Sequence, residues 1–145
     1  MKQPYYKFEA DENRLFFAFE SENQGHVVQK LVEYVPIGGN VYNLAFGDAD
    51  ENGEINDLSV TNNKDMERVL ATIIQTTLVF FETYPSKVLF FSGSTAARTR
   101  LYQIVIKREY QLLSERFVIE GIKDSKREQI QETKNYEAFL VKLKI

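Results

Sequence analysis

With 145 residues, 43% of them apolar, and eleven Phe and eight Tyr, the chain has material for one globular domain with a real core. It has no cysteine and a lone histidine, His26, which excludes disulfides, thiolate-bound zinc, thiol nucleophiles and multi-histidine metal centres; a Ser–His triad would have to use His26. No apolar run approaches the roughly 18 residues of a membrane span, and the opening MKQPYYKFEADENR has no signal-peptide core, so a soluble, cytoplasmic protein with no membrane partner is expected.

The first sixty residues read as strands. Tyr6, Phe8 and Ala10 alternate with Lys7 and Glu9, the two-residue period of a half-buried strand. An aromatic run at 14–20 follows a turn at 11–13. Over 26–37, Val28, Leu31, Val32 and Val35 fit a helical face, but the β-branched content and Pro36 favour a strand. Gly38, Gly39 and Asn40 form a turn, 41–46 a strand, and after an Asp/Asn/Gly loop 55–60 is the returning strand of a hairpin.

A helix then starts at Asn62 or Asn63, either of which can cap it. Met66, Val69, Leu70, Ile73, Ile74, Thr77, Leu78 and Phe81 recur at three- and four-residue spacing, a stripe that must lie on a sheet. Pro85 ends the segment, and 87–91, nearly all apolar, reads as a central strand. A second helix occupies about 95–114, a strand 117–122, a mobile polar loop 121–135, and a final strand 136–145, where Phe139, Val141, Leu143 and Ile145 alternate with Lys142 and Lys144. The expected class is α+β: a curved, mainly antiparallel sheet packed against two amphipathic helices (about 62–83 and 95–114) in a single domain over 1–145, without internal repeat.

The formal charge of −3 conceals an asymmetry. Residues 1–62 carry four Lys/Arg and eleven Asp/Glu, residues 63–92 three of each, and residues 93–145 eleven and seven, so −7 stands against +4. Such polarity either aims one face at an anion or lets the two halves attract each other, the second being the better default.

Three motifs bear on chemistry. Asp48, Asp50 and Asn52, with Gly53 and Ile55, match the opening of an EF-hand calcium loop, but position 12, where a bidentate Glu should close the shell, is Ser59. The flanks read as strands, which favours a plain hairpin loop over a cation site. The second motif runs from Phe90 through Ser92, Gly93, Ser94 and Thr95 into a helix bearing Arg98 and Arg100. A strand–turn–helix of small residues offers free N–H groups to an anion, although neither the Walker A nor the nucleophile-elbow spacing is present. Arg98 and Arg100 oppose the macrodipole at a helix start, so an anion should offset them: a carboxylate of the acidic half or a bound phosphate or carboxylate. Third, Tyr5, Tyr6, Phe8, Phe16, Phe17 and Phe19 are of the type that stacks bases, but their acidic surroundings favour a core role. His26 reads as an exposed surface residue.

These residues also carry a resemblance. Gly47-Asp48 with Gly53-Glu54-Ile55, the run 59–63, 69–72, and above all 84–102 with its FFxGSTxxRTRLY motif resemble a small uncharacterised bacterial family of about this length, a domain of unknown function. The resemblance covers roughly 41–106, with the whole chain as its expected extent, and implies no activity; Ala97 before Arg98 is one departure, if the family allows Pro in this first turn, and either residue suits a helix start. In fold alone, strands followed by a long helix are similar to the unit of the Whirly and PUR single-strand nucleic-acid binders.

The leading expectation is a non-enzymatic binding or regulatory module, with a homodimer as its candidate assembly. Its anion site is Ser92, Gly93, Ser94, Thr95, Arg98 and Arg100, taking a phosphate-bearing ligand without a resident cofactor. The alternatives are a single-stranded nucleic-acid binder and a phosphate-ester enzyme in which Arg98 and Arg100 hold the phosphate and Asp48, Asp50 or Asp57 serves as base or metal ligand.

Overall fold

A computed structural model describes residues 4–56 and 63–144. Among them run nine strands and three helices: β1 (Phe8–Ala10), β2 (Phe16–Asn23), β3 (His26–Gly38), β4 (Val41–Ala49), β5 (Ile55–Asn56), α1 (Asn63–Thr83), β6 (Val88–Phe91), α2 (Ala96–Arg108), α3 (Tyr110–Leu113), β7 (Phe117–Lys123), β8 (Lys126–Gln129) and β9 (Ala138–Leu143). The fold is mixed α/β and dominated by strands. Apart from the parallel β4–β6 pair, the strand pairs given below are antiparallel. Among the described residues no helix is long and apolar enough to cross a membrane. Residues 57–60 of the expected hairpin strand, the Asn62 cap, Asp57, Ser59 and Ile145 lie outside the described residues.

The chain groups into two compact units, Lys2–Val35 with Leu44–Tyr84, and Pro36–Asn43 with Pro85–Ile145; β3 and β4 run from one into the other. The charge asymmetry follows this division. The first unit holds six Lys/Arg against fourteen Asp/Glu, the second twelve against seven. They are called here the acidic and the basic unit.

In the acidic unit β1, β2 and β3 pair in antiparallel register, Phe8 opposite Phe19 and Phe17 opposite Val32. The aromatic residues divide by alternation: Tyr6, Phe17 and Phe19 are buried, Phe8 is half-buried, and Tyr5 and Phe16 are exposed. Tyr34 of β3 stacks on Phe80 of α1 at 4.6 Å and meets Phe17 edge-on at 5.6 Å. Of the stripe expected on α1, Val69, Leu70, Ile73, Thr77 and Phe81 are buried, while Met66, Ile74 and Leu78 are half-exposed and Thr72 and Thr76, outside the stripe, are completely buried. The threonines bury because each has partners. Thr72 Oγ1 donates to the Arg68 carbonyl (2.7 Å) and accepts the Tyr6 N–H (2.9 Å); Thr76 and Thr77 donate to the Ile73 carbonyl and lie 2.8 and 3.2 Å from the Tyr34 hydroxyl. Desolvation holds the Tyr34 phenol well above its ordinary pKa.

In the basic unit β6 is flanked on both sides, as its apolar sequence implies: Tyr42↔Leu89 in parallel register with β4 and Leu89↔Val141 in antiparallel register with β9. β9 pairs with β7 from Phe117↔Leu143 to Ile122↔Ala138. Two expectations are corrected here. The single helix at 95–114 is broken at Glu109 (φ −99°, ψ 10°), which is the C-cap of α2 and precedes the one-turn α3. The segment 121–135 is not a plain loop, because Lys126–Gln129 forms β8 and pairs with β7 through a two-residue turn. Both turn residues, Asp124 (φ 51°) and Ser125 (φ 63°), are left-handed, the twist that two-residue hairpins need. The Glu137 carboxylate accepts the Asp124 N–H at 2.8 Å and braces that turn.

Candidate functional site

The site is built where β6 runs into α2. Thr95 is the N-cap: its backbone is extended, and its hydroxyl accepts the Arg98 N–H at 3.2 Å. The Thr95 carbonyl receives the Thr99 N–H at 3.1 Å, the first α-helical bond. Buried Thr99 ties the turn from within, its hydroxyl donating to the Thr95 carbonyl (3.1 Å) and accepting the Gly93 N–H (2.9 Å). Gly93 is sterically required. A Cβ there would stand 2.5 Å from Thr99 N and 2.7 Å from Arg98 Cβ, so the turn could not close over the helix. The N–H groups of Ala96 and Ala97, the first two helical residues, have no acceptor within the helix.

This turn forms one wall of a cleft of ≈ 480 Å³. Gly93, Ser94, Thr95, Thr99 and Arg100 come from the turn and the helix, and Lys123, Asp124, Asn135, Tyr136 and Glu137 from the β7–β8 turn and the approach to β9. Between the walls stands Gln103, 3% exposed. Its amide is used at both ends: Nε2 donates to Asn135 Oδ1 at 2.7 Å and Oε1 accepts the Tyr136 N–H at 2.6 Å. Gly121 leaves room for the Tyr136 ring, since a Cβ there would meet that ring at 2.4 Å. Lys107 donates to the carbonyls of Glu132 and Lys134, holding the 130–136 segment to α2.

Of the six residues expected at an anion site, Gly93, Ser94, Thr95 and Arg100 line the cleft, whereas Ser92 is exposed and Arg98 half-buried outside its lining. Arg100 and Lys123 are exposed, and among the described residues neither has a carboxylate within ion-pair distance. Two carboxylates, Asp124 and Glu137, occupy the opposite wall, so the cleft carries both signs. Lys123, Asp124 and Asn135 escaped sequence reasoning because they lie in the segment read as polar loop, and Tyr136 and Glu137 because they open the segment read as the final strand. The polarity of the loop segment beside a helix start was the signal available.

The other expected residues belong to the acidic unit. Asp48 pairs with Lys30, which is 6% exposed and in need of a counter-charge. Asp50 Oδ1 accepts the N–H groups of Asn52 (2.8 Å) and Glu54 (2.9 Å), and the Asp50 N–H donates to the Glu54 carbonyl (2.8 Å), an Asx-type turn between β4 and β5. Among the described residues no group of three or more His, Asp or Glu is arranged to hold a metal ion. His26 is exposed at the β2–β3 turn.

No curated protein and no solved structure matches the chain. A protein-family model matches the chain continuously from residue 2 to residue 144, through both units and both walls of the cleft. The chain therefore belongs to the family of unknown function DUF6934.

Proposed function

We propose that the chain is a non-enzymatic binding module, folded as one domain, whose cleft at the start of α2 takes a small anionic ligand. The observation that carries this reading is the coincidence of Arg100 and Lys123, without carboxylate partners among the described residues, with the unfilled N–H groups of Ala96 and Ala97 at a helix start. The helix terminus and the guanidinium favour a phosphate or carboxylate, and Gly93 and Thr99 hold the turn in shape before the ligand arrives. Asp124 and Glu137 across the cleft favour a ligand that also carries hydroxyl or amine donors, such as a phosphorylated polar metabolite, over a bare polyanion.

Single-stranded nucleic acid is the weaker reading. Tyr6, Phe17 and Phe19, among the aromatics that would stack bases, are buried in the acidic unit. The phosphate-ester reading draws on Asp48 and Asp50, which are already engaged by Lys30 and by the turn amides.

Calorimetric titration of the full chain with phosphate, a hexose phosphate and a single-stranded oligonucleotide tests the assignment. Saturable binding of the small phosphates, weakened at least about tenfold by Arg100→Ala, is expected. Binding of none of them, or binding indifferent to Arg100→Ala, would remove it. Affinity for the oligonucleotide alone, falling steeply with salt, would transfer the site to nucleic acid.

A further inference from the structure

The basic unit has a second surface that the cleft does not use. Strand alternation gives its sheet two faces. On one, Leu89, Val141 and Ile119 share a register row across β6, β9 and β7, and all three are buried. Tyr136 rests against Gly121 on this side and bonds Gln103 of α2. The intervening residues point the other way. Phe90, Leu140 and Glu120 share one row there, and Lys142 faces Val118 in the next, with Val88 beside them on β6.

The same register orders the cations of this face. The Lys144 N–H donates to the Arg116 carbonyl at 2.9 Å, which carries the β7–β9 ladder one step past Phe117↔Leu143 and sets Arg116 beside Lys144, on the side of Lys142 and Val118. Arg127, opposite Ile122, joins from β8. All four cations are exposed, and among the described residues none has a carboxylate within ion-pair distance. Among the described residues Glu120 is the one carboxylate that β6, β7, β8 and β9 turn to this side. Like charges side by side weaken a sheet, and an anion from outside would remove that cost at Arg116, Lys142 and Lys144. Beside the cations the surface is apolar: Phe90, Leu140 and Val88 are half-exposed, and Val118 is 38% exposed. Phe91 stacks on Phe139 at 5.3 Å, whereas Phe90 has no ring partner among the described residues.

We infer that this face binds single-stranded nucleic acid, with phosphates on Arg116, Lys142, Lys144 and Arg127 and bases over Phe90 and its aliphatic neighbours. Charge selects the occupant, since four cations against Glu120 favour a polyanion. A single strand combines regularly spaced charge with flat apolar rings, whereas a duplex hides its rings from Phe90. An acidic peptide would bind by its carboxylates alone, because β6, β9 and β7 each have a strand on both sides and offer no backbone edge. An anionic membrane calls for apolar side chains that project, and Phe90, Leu140 and Val88 are recessed between the strands. From Lys142 to Arg127 is two strands across and four residues along, about 17 Å, which is room for several nucleotides. The face shares no residue with the cleft and draws on none of the buried aromatics Tyr6, Phe17 and Phe19.

Fluorescence anisotropy of a labelled oligothymidine of about 20 nucleotides, titrated with the full chain, reads this out, with circular dichroism confirming that each variant is folded. A dissociation constant of about 1 μM at about 50 mM salt is expected, rising with salt at a log–log slope of about 3 for four phosphate contacts. Lys142→Glu, at an exposed position, should weaken binding at least about tenfold, and Arg116→Ala should lower the slope by about 0.7. Phe90→Leu, which keeps an apolar side chain and removes the ring, should weaken it about fivefold. Arg100→Ala, in the cleft, should change it less than about twofold, so failure of this face and failure of the cleft are told apart. No binding, a flat salt response, or a loss in Arg100→Ala but not in Lys142→Glu would each overturn the inference. So would Lys142-dependent uptake of polyglutamate or of phosphatidylglycerol vesicles in place of the oligonucleotide, which assigns the face to an acidic protein or to a membrane.

Discussion

Replacing Gly93 with alanine adds one methyl group, and the structure specifies where it goes. The Cβ would stand 2.5 Å from the backbone nitrogen of Thr99 and 2.7 Å from Arg98 Cβ, both on the first turn of α2 and neither the far end of a flexible side chain. Gly93 does not have a positive φ, so the substitution tests steric closure rather than left-handed strain. Relief requires the turn to lift off the helix, which costs about 1–3 kcal/mol for overpacking and about 1 kcal/mol for the bond from Gly93 N–H to the Thr99 hydroxyl. Urea unfolding should therefore show a loss of about 2–4 kcal/mol, with Thr99→Val, which removes the hydroxyl without adding bulk, losing about 1–2 kcal/mol. The same variant should bind phosphate more weakly, because the lifted turn moves Ser94 and Thr95. A Gly93→Ala protein within about 0.5 kcal/mol of the wild type would refute the argument that this turn needs glycine to close.

Three further outcomes follow from the packing. Asp48→Ala strands the buried Lys30 ammonium and should cost about 2–4 kcal/mol, with Lys30→Met in the same chain recovering most of it; a double-mutant cycle on urea midpoints measures the coupling. Gly121→Ala places a methyl in the Tyr136 ring and should cost about 1–3 kcal/mol, while Tyr136→Leu in the same chain should relieve part of that loss. Burial raises the Tyr34 phenol, so above pH 10 the unfolded chain releases a proton that the folded chain keeps. The unfolded state then binds fewer protons, and stability should fall by about 1.4 kcal/mol per pH unit; in Tyr34→Phe the slope between about pH 10 and 11.5 should be shallower by that amount.

How much of this was legible depends on which residues carried the signal. The 63–83 helix could be read because three- and four-residue spacing of large apolar residues has few other meanings. Its buried side was legible at Val69, Leu70, Ile73, Thr77 and Phe81 but not at Thr72 and Thr76, which look neutral in sequence and become core only when Tyr6 and Tyr34 arrive as partners. The strand–turn–helix was legible from Gly93, Ser94 and Thr95, and Thr95 does cap it. The opposite wall was not: β8 reads Lys-Arg-Glu-Gln, an all-polar edge strand, and its turn is Asp-Ser with no glycine to announce it. The break at Glu109 was equally silent, since the residues on either side suit a helix. Charge gave the clearest correspondence, because the −7 and +4 halves of the chain prefigure an acidic and a basic unit.

The central claim is that an anion sits at the start of α2 beside Arg100. Titrating phosphate into 15N-labelled protein and following the amide resonances of Ala96 and Ala97 tests it most directly, since those two N–H groups are the donors left unfilled by the helix. The account predicts saturable shifts at both amides and at Lys123, with a dissociation constant of about a millimolar or tighter that rises about tenfold in Arg100→Ala. Amides that stay in place, or that move equally in wild type and Arg100→Ala, would contradict it.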